Sequence, residues 1–307
     1  MATALNISIS AEKIFSIAGL NVSNSMLTSL IVSGLLIGFA IWVRMSLKKT
    51  NRPSGIQNIA EYIVESLTGL VQSVTGNVAK TELFFPFIAT LFLFILLNNW
   101  FGLLPGVGSI GFYEEEKEAH VEVVQSANTE AHLENTKPAE TNGHTGSAEP
   151  VKNEEPVKTS VSTEALENTE ASHKVFVPYF RAGTADLNMT ISLGIIAVVL
   201  VQIVGVHYLS IGYFTKYINF SGPIQFFVGL LEIISEVSRI ISFAFRLFGN
   251  IFAGEVLLLV IGALVPVIAP MPFYGLEIFV GFIQALVFAM LTTVFFNMAS
   301  LGHGDEH

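Results

Sequence analysis

Cysteine is absent from all 307 residues, which rules out disulfides, cysteine-based zinc sites and thiol catalysis together. Charge is scarce as well, at 13% of residues. No basic stripe with interleaved aromatics is present, so nucleic acid is not an expected partner. No Ser-His-Asp or Walker pattern occurs, and the chain is expected to hydrolyse nothing itself and to need no cofactor or metal. GVGSIG at Gly106 has the form of a dinucleotide fingerprint, but no βαβ unit surrounds it, so it reads as a loop. The N-terminus lacks a basic stretch before its apolar residues, so no cleavable signal peptide is expected.

What is abundant is apolar. Hydrophobic residues make up 51% of the chain, with 25 phenylalanines, and the long apolar runs read as membrane spans. The formal charge of −10 is unevenly spread. Of the 25 acidic residues, 14 lie between Tyr113 and Phe176, with 5 of the 15 basic ones. This tract, rich in Glu, Thr, Asn and Ala, repeats itself: EPVK begins at Glu149 and at Glu155, and TEAHLENT at Thr129 returns as TEALENT at Thr163. Such composition buries too little apolar surface to offset ordering entropy. Residues 113–175 are therefore expected to be a disordered extracytoplasmic insert between two membrane parts, 1–112 and 176–307.

The expected fold is all-α, an integral membrane protein with five transmembrane helices. A short amphipathic piece, Glu12 to Leu20, precedes the first span at 25–44. Arg44, Lys48, Lys49 and Arg52 follow it, which puts that end in the cytoplasm and the N-terminus outside. Residues 55–74 carry apolar positions at helical spacing with polar residues between, an interfacial helix. Further spans are expected at 83–104, 187–209, 223–265 and 273–299, with the C-terminus cytoplasmic. The run from Pro223 to Val265 contains no internal proline. As one helix it would extend about 60 Å, twice the thickness of the hydrocarbon core, and must tilt steeply or bend.

Ionisable residues inside spans are costly and default to functional candidates. The long fourth helix carries Glu232, Glu236, Arg239, Arg246 and Glu255, with Ser242 and Asn250 close by; the fifth carries Glu277 and Gln284. Arg239 has Glu232 and Glu236 within reach and can serve as interhelical glue. Arg246 differs: its neighbours one turn away are Ser242, Phe243, Gly249 and Asn250, so no acid on its own helix neutralises it. At 100° per residue, Glu232, Arg239, Arg246 and Asn250 fall within about 40° of one another. Glu255 lies about 180° from Arg246 and roughly 13 Å along the axis, and Glu232 lies roughly 21 Å the other way. Polar groups thus form two clusters offset in depth, with a lone positive charge between. An autonomous transporter would more typically show repeated, interrupted helices. A structural scaffold would use these charges as glue.

FRLFGNIFAGE, from Phe245 to Glu255, resembles the signature of the F-type ATP synthase a subunit. LNNWFGLLPG from Leu97, TADLNMT from Thr184 and FIQALVFAMLT from Phe282 resemble the same family, in its order. The similarity covers the chain outside 113–175. It implies a stator of the rotary motor, non-catalytic, forming two offset proton half-channels to the carboxylates of a c-subunit ring. The implied partners are that ring, the b-subunit peripheral stalk, the remaining synthase subunits and membrane lipid, in a bacterial inner membrane. Carried over, Arg246 is the single essential arginine facing the ring. Glu255 and Glu277 are the polar pair of the outer half-channel, able to share a proton. Asn99 and Asp186 line the same path, Glu232, Ser235 and Arg239 belong to the cytoplasmic end, Ser242 is a further proton-translocation residue, and Gln284 and Asn250 orient Arg246.

Overall fold

A computed structural model describes residues 11–17, 19–46, 55–115, 174–217, 222–265 and 268–301. Six long helices dominate: α1 (Asn24–Ser46), α2 (Gly55–Thr75), α3 (Val78–Gly102), α4 (Leu187–Leu209), α5 (Pro223–Leu264) and α6 (Pro270–Ala299). All but α2 are long and apolar enough to cross a membrane, so the protein is an all-α, multi-pass membrane protein of five spans. Two short antiparallel or paired ribbons accompany them: β1 (Lys13–Ile17) with β2 (Leu20–Ser23), and β3 (Gly111–Glu115) with β4 (Lys174–Pro178). The piece expected to be simply amphipathic at Glu12 to Leu20 is therefore largely hairpin, its register pairing Phe15 with Val22 and Ile17 with Leu20.

The helix ends follow local chemistry. The Ser23 hydroxyl accepts from Met26 N at the start of α1. Asn77 caps α3 by accepting from Ala79 N and Lys80 N, and Asp186 caps α4 by accepting from Asn188 N. Prolines open α5 and α6, where a missing N–H costs nothing. Two starts differ from the expected ones. α3 begins at Val78 rather than 83, because the Lys80 side chain reaches out to Ser300 Oγ at 2.8 Å and need not enter the apolar layer. α6 begins at Pro270 rather than 273, its prolines occupying the first turn.

The chain divides into two units, Met1–Phe112 with Val177–His307, and Tyr113–Phe176. Of the second, Tyr113 and Phe176 meet edge to face at its ends, with ring centroids 5.4 Å apart. The expectation of disorder in 113–175 falls mainly on 116–173, outside the described residues, as does the histidine-bearing tail beyond 301.

In the first unit one core joins α3, α4, α5 and α6. Phe84, Ile88 and Ile95 of α3 meet Ala197 and Val201 of α4, Phe243 and Leu247 of α5, and Phe288 and Phe296 of α6. Small residues set the spacing, as is usual where lipid offers no hydrophobic drive between helices. Gly194 of α4 lies against the backbone of Ile240 on α5, and Ala285 and Ala289 of α6 are fully covered. Leu35, Ile37, Ile41 and Trp42 of α1 and many aliphatic residues of α5 stay exposed, which suits lipid or protein neighbours. Only 17% of the apolar window of α5 is buried, against 44% for α3 and α4, so α5 stands at the margin of the bundle.

Candidate functional site

The long helix α5 presents its charged residues in order from one end to the other. Near its start Glu232 pairs with Lys216, 2.6 Å away on the short turn after α4. One turn on, Glu236 takes two bonds from Arg239 Nη1, at 2.9 and 2.7 Å. The Arg239 guanidinium also lies 4.0 Å from the ring centroid of Phe295 on α6, a close cation–π contact. Of the two acids in reach of Arg239, Glu236 is the one it takes, and Glu232 is satisfied elsewhere. Tyr217 closes this cluster: its hydroxyl donates to Gln202 Oε1 at 2.8 Å and stands 3.3 Å from Glu236 Oε1. Burial, with the Tyr213 hydroxyl and the Glu236 charge adding, pushes the Tyr217 phenol far up, so it keeps its proton.

From Arg239 a cavity of about 330 Å³ runs along α5 to Arg246. Ser235, Ser238 and Ser242 line it on one side, with Leu291 and Phe295 of α6 opposite. Arg246 stands at its far end, exposed, and donates to Ser242 Oγ at 3.3 Å. Among the described residues no carboxylate forms an ion pair with it. Asn250, one turn further, donates to Gln284 Oε1 of α6 at 2.7 Å. Gln284 thus engages Asn250 rather than bonding Arg246 directly, and its buried Nε2 has no partner.

Beyond Asn250 the helix reaches Glu255. Arg181, from the segment between β4 and α4, grips both carboxylate oxygens with Nε at 3.0 and 3.1 Å and adds Nη2 at 3.0 Å. Glu277 of α6 is 6% exposed and sits over Gly254, so close that a Cβ there would collide with its carboxylate. It has no hydrogen bond or ion pair among the described residues. Among the described residues no hydrogen bond joins Glu255 and Glu277, and an arginine 74 residues away in sequence holds both oxygens of Glu255.

Asn99 and Asp186 are buried in the same end of the bundle, each fastening helices. Asn99 Nδ2 donates to Gly281 O of α6 at 3.0 Å and its carbonyl accepts from Thr184. Asp186 accepts from Ser25 Oγ of α1 at 2.6 Å besides capping α4. Neither bonds Glu255 or Glu277. Sequence reasoning missed Arg181, Tyr217 and Gln202. Pairing at such separations leaves no periodic trace; the only local cue to Arg181 was a lone cation five residues before the polar Asp186.

Residues 26–297 match the family described as ATP synthase A chain. The chain belongs to that family. It is 28% identical over 273 residues to the ATP synthase subunit a of Campylobacter jejuni subsp. doylei, covering 87% of this chain and 88% of that one. The ATP synthase subunit a of Campylobacter jejuni subsp. jejuni serotype O:6 is 27% identical over the same extent. Membership in the A chain family makes this a membrane subunit of ATP synthase serving proton transport. The match takes in both ends of α5, so the charged series from Glu232 to Glu255 lies wholly inside the family region.

Proposed function

We propose that this chain is the stator a subunit that brings protons to and from a rotating ring of c subunits through two half-channels offset in depth. The observation that carries the reading is Arg246: exposed on α5, holding a serine hydroxyl, with no carboxylate partner among the described residues. The anion it lacks would be the ring carboxylate. A protonated ring carboxyl is neutral and can turn through lipid; beside Arg246 the opposite charge favours its ionised form. At about 4 Å and an effective dielectric of about 20, that attraction is about 4 kcal/mol. The same charge repels a proton seeking to cross between half-channels directly, so ion flow must turn the ring.

The serine-lined cavity between Arg239 and Arg246 supports a cytoplasmic half-channel, with Glu232, Arg239 and Ser242 along it. Glu277 and Glu255 belong to the outer half-channel, Asn99 and Asp186 hold the helices that carry it, and the Asn250–Gln284 bridge fixes α5 against α6 beside Arg246. The N-terminus lies outside and the C-terminus in the cytoplasm, and the exposed faces of α1 and α5 meet the peripheral stalk, the ring and lipid. The chain hydrolyses nothing itself.

The test is ATP-driven pumping and passive proton permeability in vesicles carrying the whole complex with Arg246→Ala. Assembled complex that has lost pumping is the expected result. Normal pumping in that variant would falsify the reading and make the charge structural.

A further inference from the structure

We infer that Arg181 is a positioning residue of the outer half-channel, holding Glu255 as the fixed half of an ion pair and leaving Glu277 as the carboxyl that passes the proton. This rests on the stator reading above and adds a residue to it.

The turn that carries Arg181 is built to be immobile. Arg181 N lies within 3.3 Å of Thr28 Oγ1 on α1 and donates to it. Ala182 packs against Gly102 at the end of α3, in contact too close to admit a Cβ there. Gly183 is wedged between Ser29 and Asn98, where any side chain would strike both. Thr184 and Asp186 then bond Asn99 and Ser25. Five of the six residues from Arg181 to Asp186 are thereby tied to α1 and α3, neither of which contributes a charge to the site. The guanidinium projecting from this turn has a side chain only 9% exposed, and it meets Glu255 in the two-pronged geometry that arginine offers and lysine does not.

A carboxylate held by both oxygens on a rigid base has little freedom to swing towards a donor and then an acceptor. Glu277 is the opposite case: buried on α6, free of bonds among the described residues, and facing Gly254 of α5 instead of a side chain. The two acids, alike in sequence, are thus given different duties. Glu255 supplies a stationary negative charge at the mouth; Glu277 takes a proton on a carboxylate oxygen and returns to carboxylate when it hands that proton on to the ring.

The experiment is ATP-driven pumping per assembled complex in vesicles, for the whole complex bearing Arg181→Gln, Arg181→Lys, Glu255→Gln, and the double variant Arg181→Gln with Glu255→Gln. Loss of a charge-assisted grip predicts a fall of about tenfold for Arg181→Gln. Arg181→Lys, keeping the charge but not the two-pronged grip, should recover only part of it. The double variant should pump like Glu255→Gln alone, because a group acting only through another adds nothing once that other is gone. If Arg181→Gln fails to assemble, the neutral double variant carries the test: assembly with pumping equal to Glu255→Gln supports the inference, and failure to assemble where Glu255→Gln succeeds overturns it. Unchanged pumping in Arg181→Gln, a lysine no better than glutamine, or losses that multiply in the double variant would each overturn it as well. Arg246→Ala in the same preparation separates the two claims: normal pumping there sinks the stator reading, whereas its loss beside an indifferent Arg181 sinks this inference alone.

Discussion

Along α5, the arginines on either side of Arg246 are treated in the opposite way from Arg246 itself. Arg239, two turns before it, and Arg181, which reaches Glu255 beyond it, are each taken by both oxygens of a glutamate, and each also lies by an aromatic ring, Phe295 or Phe252. Arg246 between them has a single hydroxyl. Removing a cation from water is expensive unless its charge is matched on site. The flanking pairs are matched within the chain. On the stator reading, the match for Arg246 comes from the ring carboxylate. On that reading, what distinguishes a coupling arginine from a structural one is the absence of an acid of its own among the described residues, a property of neighbours and not of the residue.

That contrast can be broken by giving Arg246 what the others have. Ser242→Asp puts a carboxylate one turn away, where the hydroxyl already reaches Nη2. A local ion pair competing with the ring should cut ATP-driven pumping on the order of a hundredfold, with assembly intact. Pumping within a factor of about two of the parent would show that Arg246 needs no vacant face.

A smaller effect is expected where α5 and α6 touch. Gly254→Val drives a branched side chain into the Glu277 carboxylate, an overpacking that should cost about 1–3 kcal/mol and lower the melting temperature of the complex. Adding Glu277→Ala should return part of that stability, since the colliding atoms are then gone; no recovery would place the strain elsewhere.

Most of the helical frame was legible because it needed only hydropathy and length. The bounds of α4 fall where its apolar run begins and stops, and α5 stays unbroken because no proline interrupts it. The lack of an acid beside Arg246 on its own helix was legible too, since those neighbours can be read one turn up and down. The Glu255–Arg181 and Asn250–Gln284 contacts were not: they join residues 74 and 34 apart, and nothing local records which strand of chain will arrive. α3 starts before its apolar run because a long lysine side chain can leave its backbone inside the helix while the charge departs.

The paired ends offer the milder tests. Arg239→Gln leaves Glu236 without its cation and should destabilise the complex by about 1–3 kcal/mol, discounted from a fully buried pair because both side chains keep some solvent. Pumping per assembled complex should fall less than in Arg246→Ala, since Arg239 is matched inside the chain; an equal collapse would erase the difference between the two arginines. Smallest of all, deletion of residues 113–175 should leave ATP-driven pumping within about twofold, because composition gives that tract no part in the membrane core. Loss of coupling would give the tract a role that its sequence does not suggest.

Because α5 is one uninterrupted helix of 42 residues, its polar stations share a single mechanical phase. Each residue advances the helix by about 100° and about 1.5 Å, so the bearing of Glu255 relative to Arg246, and of Arg246 relative to Glu232, is set by counting alone. No hinge lies between them to absorb an error. On the stator reading, a ring turning against this rod would meet the two stations at a fixed angular lag, and slippage between them would require breaking the helix itself.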